Sequence, residues 1–368
     1  MRLLIWYWGR RGAGAQRVVT LGRALRRRGD VAVALSVSRQ MDLLAEVEAL
    51  GLPTDIVETY TSGAGFLLGL PRVPGLARRL ARQAREFRAD AVLSVMTHLW
   101  TPLVTPALRR AGIPYVPIVH DALPHPGDPA LLWDWRLDRE LDAASGAIVH
   151  SAEVGRLLRA RRPGLPVETL SLGTDLDAAA LAPASGAAKE GGFLLFGRLR
   201  AYKGLDLLRD AWPAVLERHP GARLRVVGEG DAEGLAPGLS ALPGVRVETR
   251  WVAEAEIPAL AASADALVLP YREASQSSVV PLAFALGVPV VATAVGALAE
   301  QVADGVNGLV VPPEPAALAA AMARMADPAE RARLAAGARA SGAALVDWDA
   351  RAAELLGVLR RLGVRDGG

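Results

Sequence analysis

Short apolar runs rich in β-branched residues alternate with helical patterns along nearly the whole chain, and the alternation pauses once. The first series is LLIWYW, VAVALSV, AVLSVM, YVPIVH and AIVHS, separated by patterns such as RVVTLGRALRRRG and PGLARRLARQAREFRAD. The second is FLLFG, ARLRVVG, VRVET, ALVLP, PVVAT and GLVVP. Strands that read as continuous apolar runs are covered on both faces, and strands alternating with helices make parallel sheets. The pause, PASGAAKEGG at 183–192, has linker composition. The expected architecture is α/β, with two doubly wound domains. Residues 1–182 form the first, 183–192 a linker, 193–345 the second, and 346–368 a C-terminal amphipathic helix that packs back on the first. Ligands of doubly wound sheets sit at the carboxyl ends of the strands.

The longest uncharged run, Ala274 to Ala299, is the one transmembrane candidate. It contains Pro281, Gly287, Pro289 and Gly296. A span needs roughly 20 continuous helical residues. Here SSVVPLAFAL reads as a buried helix and VPVVAT as a strand. No signal peptide is evident, because LLIWYW is short and followed by Gly9, Arg10 and Arg11. The 368 residues hold no cysteine, which excludes disulfides and thiolate metal sites and fits a reducing compartment. The first 185 residues carry 23 basic and 18 acidic side chains, and the remainder 19 and 21. That distribution lacks the concentrated basic stripe of a nucleic-acid binder.

Three loops carry candidate chemistry. GRRGAGAQ at 9–16 follows a strand and opens a helix, where glycines let backbone approach an anion. Alone it suits a dinucleotide site or a tight turn without ligand. The second strand ends in SVSRQ, with Arg39 and no acid for a ribose 2′-OH, so an NADP-dependent oxidoreductase stays open. FGRLRAYKGLDLLRDA at 196–211 places Gly197, Arg198 and Lys203 between a strand and a helix. Arg offers a forked contact and Lys a point charge, together a clamp for a diphosphate or, more plainly, two solvated loop charges. Lys203 is one of only two lysines. EASQSS offers Glu273, hydroxyls and amides before a helix, suited to phosphate oxygens and sugar hydroxyls or to simple capping.

In their order these motifs resemble the retaining glycosyltransferases of family 4, which have the GT-B architecture of two facing Rossmann-like domains. The likeness covers most of the chain. It rests on Gly14-Ala15-Gln16-Arg17, Ser171-Leu172-Gly173-Thr174-Asp175, Gly197-Arg198 with Lys203-Gly204, and Val227-Gly228-Glu229-Gly230. It continues through Gly287-Val288-Pro289-Val290-Val291-Ala292-Thr293 with Gly296 and Glu300, and ends at Asp347-Trp348. The resemblance implies a transferase that moves a sugar from a nucleotide diphosphate sugar, UDP- or GDP-linked, to a hydroxyl acceptor with retained configuration. Arg198 and Lys203 would hold the diphosphate, with backbone donors near Ser277, Ser278 and Val279. Glu273 would contact sugar hydroxyls, and His120 would face the donor sugar. Gly14 would let its loop approach the reacting centre, Gly228 would form the second glycine turn, and Arg250 and Val252 would adjoin the base. No cofactor beyond the donor is implied, and no essential metal.

One departure stands out. The family usually carries a second glutamate after Glu273, contacting the ribose, and here that place falls on Pro281 or Leu282. A subfamily variant and a catalytically silent GT-B scaffold are the two readings. Two DxD spellings, Asp175-Leu176-Asp177 and Asp347-Trp348-Asp349, sit at the interdomain segment and a helix start, where linker and cap readings suffice. The five histidines, His98, His120, His125, His150 and His219, lack metal-ligand spacing.

The acceptor is read from residues 66–88. An apolar loop precedes a helix with Arg78, Arg79, Arg82, Arg85 and Arg88 on one side and Leu76, Leu80 and Phe87 on the other. Such an element can lie on an anionic bilayer, as a lipid-linked or cell-surface glycan acceptor would need. It can equally cover the sheet as an ordinary surface helix. The expected location is cytoplasmic, with a peripheral contact at the inner face of the membrane as the extension of the first reading.

Overall fold

A computed structural model describes residues 1–124, 130–174, 176, 181–365 and 367. His125, Asp175 and Asp177 lie outside the described residues. The chain divides into two compact units, one of Met1–Ser171 with Trp348–Gly368 and one of Leu172–Asp347.

The first unit holds seven strands: β1 (Arg2–Tyr7), β2 (Ala32–Ser38), β3 (Thr54–Val57), β4 (Ala91–Ser94), β5 (Tyr115–Val119), β6 (Ala147–Val149) and β7 (Val167–Thr169). They pair in the order β3-β2-β1-β4-β5-β6-β7, every pair parallel. The second unit holds six: β8 (Phe193–Phe196), β9 (Leu224–Val227), β10 (Val245–Glu248), β11 (Ala266–Leu269), β12 (Val290–Thr293) and β13 (Gly308–Val311). Their order is β10-β9-β8-β11-β12-β13, again all parallel. Both sheets are doubly wound, as the alternation predicts. Chain direction reverses across the sheet between β1 and β4 in one unit and between β8 and β11 in the other. Beside such a switch point the loops diverge and leave a crevice.

The central strands β4, β8, β11 and β12 are buried along their whole length. Helices cover both faces of each sheet, so no strand there needs a polar side. Ser62, Ser151 and Asp327 cap the helices Gly63–Gly69, Ala152–Arg161 and Pro328–Ala343 by accepting from amides of the first turn. The uncharged run divides as expected, into the helix Val279–Ala285 and β12. Among the described residues no helix is long and apolar enough to cross a membrane.

The terminal helix Trp348–Arg361 buries Trp348, Leu355, Leu356, Val358 and Leu359 in the core of the first unit. A fully buried leucine or valine contributes about 1.5–3 kcal/mol. Arg27 to Asp349 at 2.6 Å and Arg361 to Glu168 at 2.6 Å fix its two ends. Asp349 of the second DxD spelling is therefore an ion-pair partner.

Residues 183–192 do not serve as a linker. Leu181 and Ala184 are buried, Lys189 Nζ donates to the carbonyls of Ala262 and Ala264, and the Gly191 amide donates to Ser263. The stretch is docked on the second unit, and the division of the chain falls before it, at Ser171. Small residues permit close packing as well as flexibility, and here packing prevails.

The arginine-rich helix also departs from the bilayer expectation. In Val73–Glu86, Val73, Ala77, Leu80, Ala81 and Ala84 are buried in the core of the first unit. Its apolar side covers the sheet, and Arg78, Arg79, Arg82 and Arg85 face solvent. Exposed leucines belong instead to the short helix before it, where Leu67 is 63% and Leu68 79% exposed.

Candidate active site

The second unit builds its crevice from the loops after β8, β9 and β11. β8 stops at Gly197, whose φ of +107° suits glycine, and Gly204 at φ +67° turns the chain into the helix Leu205–Arg218. A Cβ on Gly204 would stand 1.8 Å from the Pro270 carbonyl oxygen. One on Gly228 would stand 1.9 Å from the Gly197 oxygen. Backbone thus lies directly on backbone where the three loops meet.

Lys203 sits in that junction, 6% exposed. Its Nζ donates to the Tyr271 hydroxyl at 2.7 Å and lies 4.6 Å from the centre of the Tyr271 ring. A Cβ on Gly197 would be 3.2 Å from the same nitrogen. Among the described residues no carboxylate pairs with it. A buried ammonium without a counter-charge is costly, and an anion that completed it would be held firmly. Arg198 on the same loop is exposed and pairs with no acid among the described residues.

The loop after β11 carries Glu273 between two anchors. The Arg272 amide donates to Tyr202 at 2.7 Å, and its side chain pairs with Asp206. The Ala274 carbonyl accepts from Ala297 at 2.9 Å. Gly296, at φ +46°, comes so close that its Cβ would stand 2.0 Å from that oxygen. The Glu273 backbone is clamped, while its side chain is exposed and pairs with no basic residue among the described residues. Lys203, Arg198 and Glu273 therefore sit on loops that contact each other.

The remaining expectations for this unit divide. Ser277 is buried, and its amide and carbonyl are both taken by the side chain of Gln301, at 2.9 and 3.0 Å. Amides of Ser278 and Val279, at the start of the helix Val279–Ala285, have no acceptor among the described residues. Arg250 is held by Glu248 and Glu256, whose carboxylates push its pKa further up. It is not free for a base. Val252 is 7% exposed and belongs to the core, whereas the neighbouring Trp251 is 45% exposed. At the place of the second family glutamate, Pro281 and Leu282 are both buried and apolar.

Tyr271 and Gln301 were not expected from the sequence. Nothing local marks a tyrosine after a strand as the partner of a lysine 68 positions earlier.

The first unit gives its glycine loop a different use. A Cβ on Gly9 or on Gly14 would meet the Tyr7 ring at 2.5 Å. Gly9 and Gly14 thus make room for the Tyr7 ring. Arg39 pairs with Glu58 at 2.7 Å and is committed away from a 2′-phosphate. Both features of the NADP reading thus have structural uses of their own.

His120, after β5, bonds through Nε2 to the Val95 carbonyl at 3.0 Å, which makes that nitrogen the donor. His150 lies beside it, ring centres 5.3 Å apart. His150 donates from Nδ1 to Leu170 and accepts at Nε2 from Arg17, both near 3 Å. Burial, then the charge of Arg17 and the neighbouring His120, push its pKa well below the usual value. His98, enclosed by Trp8, Tyr60 and Trp100, is lowered by burial to about 4. Both rings are neutral at pH 7. Glu140, fully buried, accepts from Tyr115 and Thr97 and so ties the loop after β4 to the helix Ala130–Leu141. Among the described residues no group of three His, Asp or Glu could hold a metal ion.

Comparison with known proteins identifies the family and the fold. Residues 190–327 match the family described as "Glycosyl transferases group 1", and residues 13–178 match "Glycosyltransferase Family 4". A D-inositol 3-phosphate glycosyltransferase of Xylanimonas cellulosilytica is 31% identical over 93% of this chain and 89% of its own length. Other proteins of that name, 36–39% identical, align over only 38–51% of theirs. In three dimensions the chain resembles sucrose-phosphate synthase from Thermosynechococcus elongatus, with a TM-score of 0.74, 21% identity and 99% of both chains covered. It also resembles Anabaena HepE in complex with UDP-glucose, with a TM-score of 0.71 and 20% identity over 97% of this chain and 99% of that one.

Proposed function

The chain belongs to the group 1, family 4 glycosyltransferases, and from that premise we propose that it transfers a hexosyl group from a nucleotide diphosphate sugar to a hydroxyl acceptor with retained configuration. The observation that carries the reading is Lys203, a buried cation with no carboxylate partner among the described residues, at the carboxyl end of β8. In the proposed reaction the bond from the anomeric carbon to the diphosphate breaks, and charge gathers on the leaving phosphate. Lys203 and Arg198 stabilise that charge, and pre-placed groups of this kind supply much of the catalysis in such reactions. The acceptor oxygen bonds to the anomeric carbon on the face the diphosphate leaves, and its proton passes to a phosphate oxygen. Glu273 binds donor-sugar hydroxyls. The amides of Ser278 and Val279 add donors to the diphosphate. The exposed Trp251, rather than Arg250 or Val252, is assigned to the base. No cofactor or metal takes part.

HepE was solved with UDP-glucose, which makes UDP the first nucleotide to try here. For the acceptor we assign a cell-surface glycan or lipid-linked intermediate, taken at the inner face of an anionic membrane. Exposed Leu67 and Leu68, next to the outward arginines of Val73–Glu86, support that contact. A second reading, a silent scaffold, draws support from the burial of Leu282.

Thermal stabilisation by UDP, GDP, ADP and NADP⁺ tests the proposal, since a ligand of the native state raises Tm with dose. One nucleoside diphosphate should raise Tm in the native chain and fail in Lys203→Ala and Arg198→Ala. Stabilisation by NADP⁺ alone, kept in both variants, would overturn it. Binding of UDP without transfer from UDP-glucose to any glycan acceptor would favour the scaffold.

A further inference from the structure

The donor loops use one end of the second sheet. At the other end, beside the amino ends of β8, β9 and β11, is a cavity of about 410 Å³. Its ionisable lining is Arg218, His219, Arg223, Arg331 and one acid, Asp265. The volume lies in the range of small-molecule sites, roughly 300–1,000 Å³.

Two helices, Leu205–Arg218 and Pro315–Ala326, end at this cavity. Helix carboxyl ends carry about half a negative charge each and attract cations, so some of these arginines have a plain structural role. Arg331 shows it directly. It donates to the carbonyls of Met325 and Ala326, and its Nε lies 3.8 Å from Asp265. Arg218, in the last turn of the first helix, makes no such carbonyl contact among the described residues. It stands in excess with Arg223 and His219. Asp265 pairs with none of them among the described residues: its Oδ1 faces Arg331, and its Oδ2 accepts from the Gly192 amide at 2.8 Å. The side chains of Arg218, His219 and Arg223 have no hydrogen-bond or ion-pair partner among the described residues.

The cavity thus joins two chemistries. The free guanidiniums of Arg218 and Arg223, with His219, suit a phosphate through forked, charge-assisted contacts. Asp265 and the carbonyls of Met325 and Ala326 each already accept one hydrogen bond, and their remaining lone pairs suit hydroxyls. We propose that this cavity is a second ligand site, separate from the donor loops, that binds a phosphorylated sugar. The juxtaposition of unpaired arginines with an acceptor-rich wall assigns the phosphate to the first and the sugar to the second. The proposal does not depend on the transferase reading, since it shares no residue with Lys203, Arg198 or Glu273.

Isothermal titration of the full chain with glucose 6-phosphate, glucose and inorganic phosphate tests it. Glucose 6-phosphate should bind and glucose should not. The double variant R218A/R223A should lose at least about tenfold in affinity, as expected when charge-assisted contacts are removed. Both positions are exposed, so the variant should fold. Lys203→Ala should leave this binding unchanged. Unaltered affinity in R218A/R223A would overturn the site, as would silence up to about 10 mM. Loss in Lys203→Ala would return the anion to the donor loops and overturn it equally. Inorganic phosphate binding as tightly as the ester would keep an anion site and overturn the sugar half of the proposal.

Discussion

In the Leu172–Asp347 unit a side chain on Gly204, Gly228 or Gly296 would strike a carbonyl oxygen, at 1.8, 1.9 and 2.0 Å. In the other unit a side chain on Gly9 or Gly14 would strike the ring of Tyr7. Two sheets of one topology thus use glycine for opposite ends. One presses loop on loop and leaves Arg198 and Glu273 open, with Lys203 buried beside them. The other makes room for an aromatic ring and buries two neutral histidines, His98 and His150. A glycine-rich turn after a strand is therefore evidence of close approach only. What approaches is decided by the side chains nearby.

Four experiments test that contrast. Lys203→Ala should have the largest effect, lowering kcat/KM for the donor by about 10²–10³-fold, the usual cost of losing one pre-placed charge stabiliser. Lys203→Arg should not restore it, because a forked guanidinium does not fit beside Tyr271 as a point charge does. Steady-state kinetics with the donor that stabilises the chain decides this.

Gly204→Ala comes next. It forces a side chain against a backbone oxygen at positive φ, and should lose about 3 kcal/mol of stability in urea unfolding. A loss below about 1 kcal/mol would mean that the loops are not pressed together as described.

Acid should act through the first unit. His98 has its pKa lowered to about 4 by burial, and His150 is lowered in the same sense. Above about pH 6.5 neither folded nor unfolded chain protonates these rings, and no penalty arises. As pH falls from 6.5 towards 4 only the unfolded chain takes up the proton at His98, so stability declines. For His98 this amounts to about 2 kcal/mol between pH 7.5 and 5. Urea midpoints across that range should fall in the native chain and fall less in His98→Asn.

The smallest effect tests Tyr7. Gly14→Ala should cost about 1 kcal/mol through crowding of the ring. Combined with Tyr7→Ala the cost should vanish, giving a coupling of about 1 kcal/mol in a double-mutant cycle. Additive losses would separate the glycine from the ring.

Most of the fold was legible because parallel strands buried on both faces write themselves as apolar runs. The strands the runs did not reveal are β3, with sequence TDIV, and β7, with sequence VET. Both are outermost strands of the seven-stranded sheet, where one side is unpaired and the apolar signal fades. The docked stretch 183–192 was misread for a related reason, since small residues carry no sign of what they pack against. At the candidate site, Lys203, Arg198 and Glu273 were legible as polar residues at strand ends. The commitment of Arg250 to Glu248 and Glu256, and of the Ser277 amide to Gln301, was not.

The sequence alone determined the period of burial, the two doubly wound sheets, the positions where glycine is required, and the family. The tertiary structure decided the partners. It put Tyr271 under Lys203, Tyr7 over Gly14, Leu282 in the core, and the terminal helix against the first sheet. The reason is one of range. Burial and backbone conformation are set by neighbours within a turn or a strand, and a single chain records them. A pairing between loops is set by which strand ends share an edge of the sheet, and that is known only once the sheet has formed.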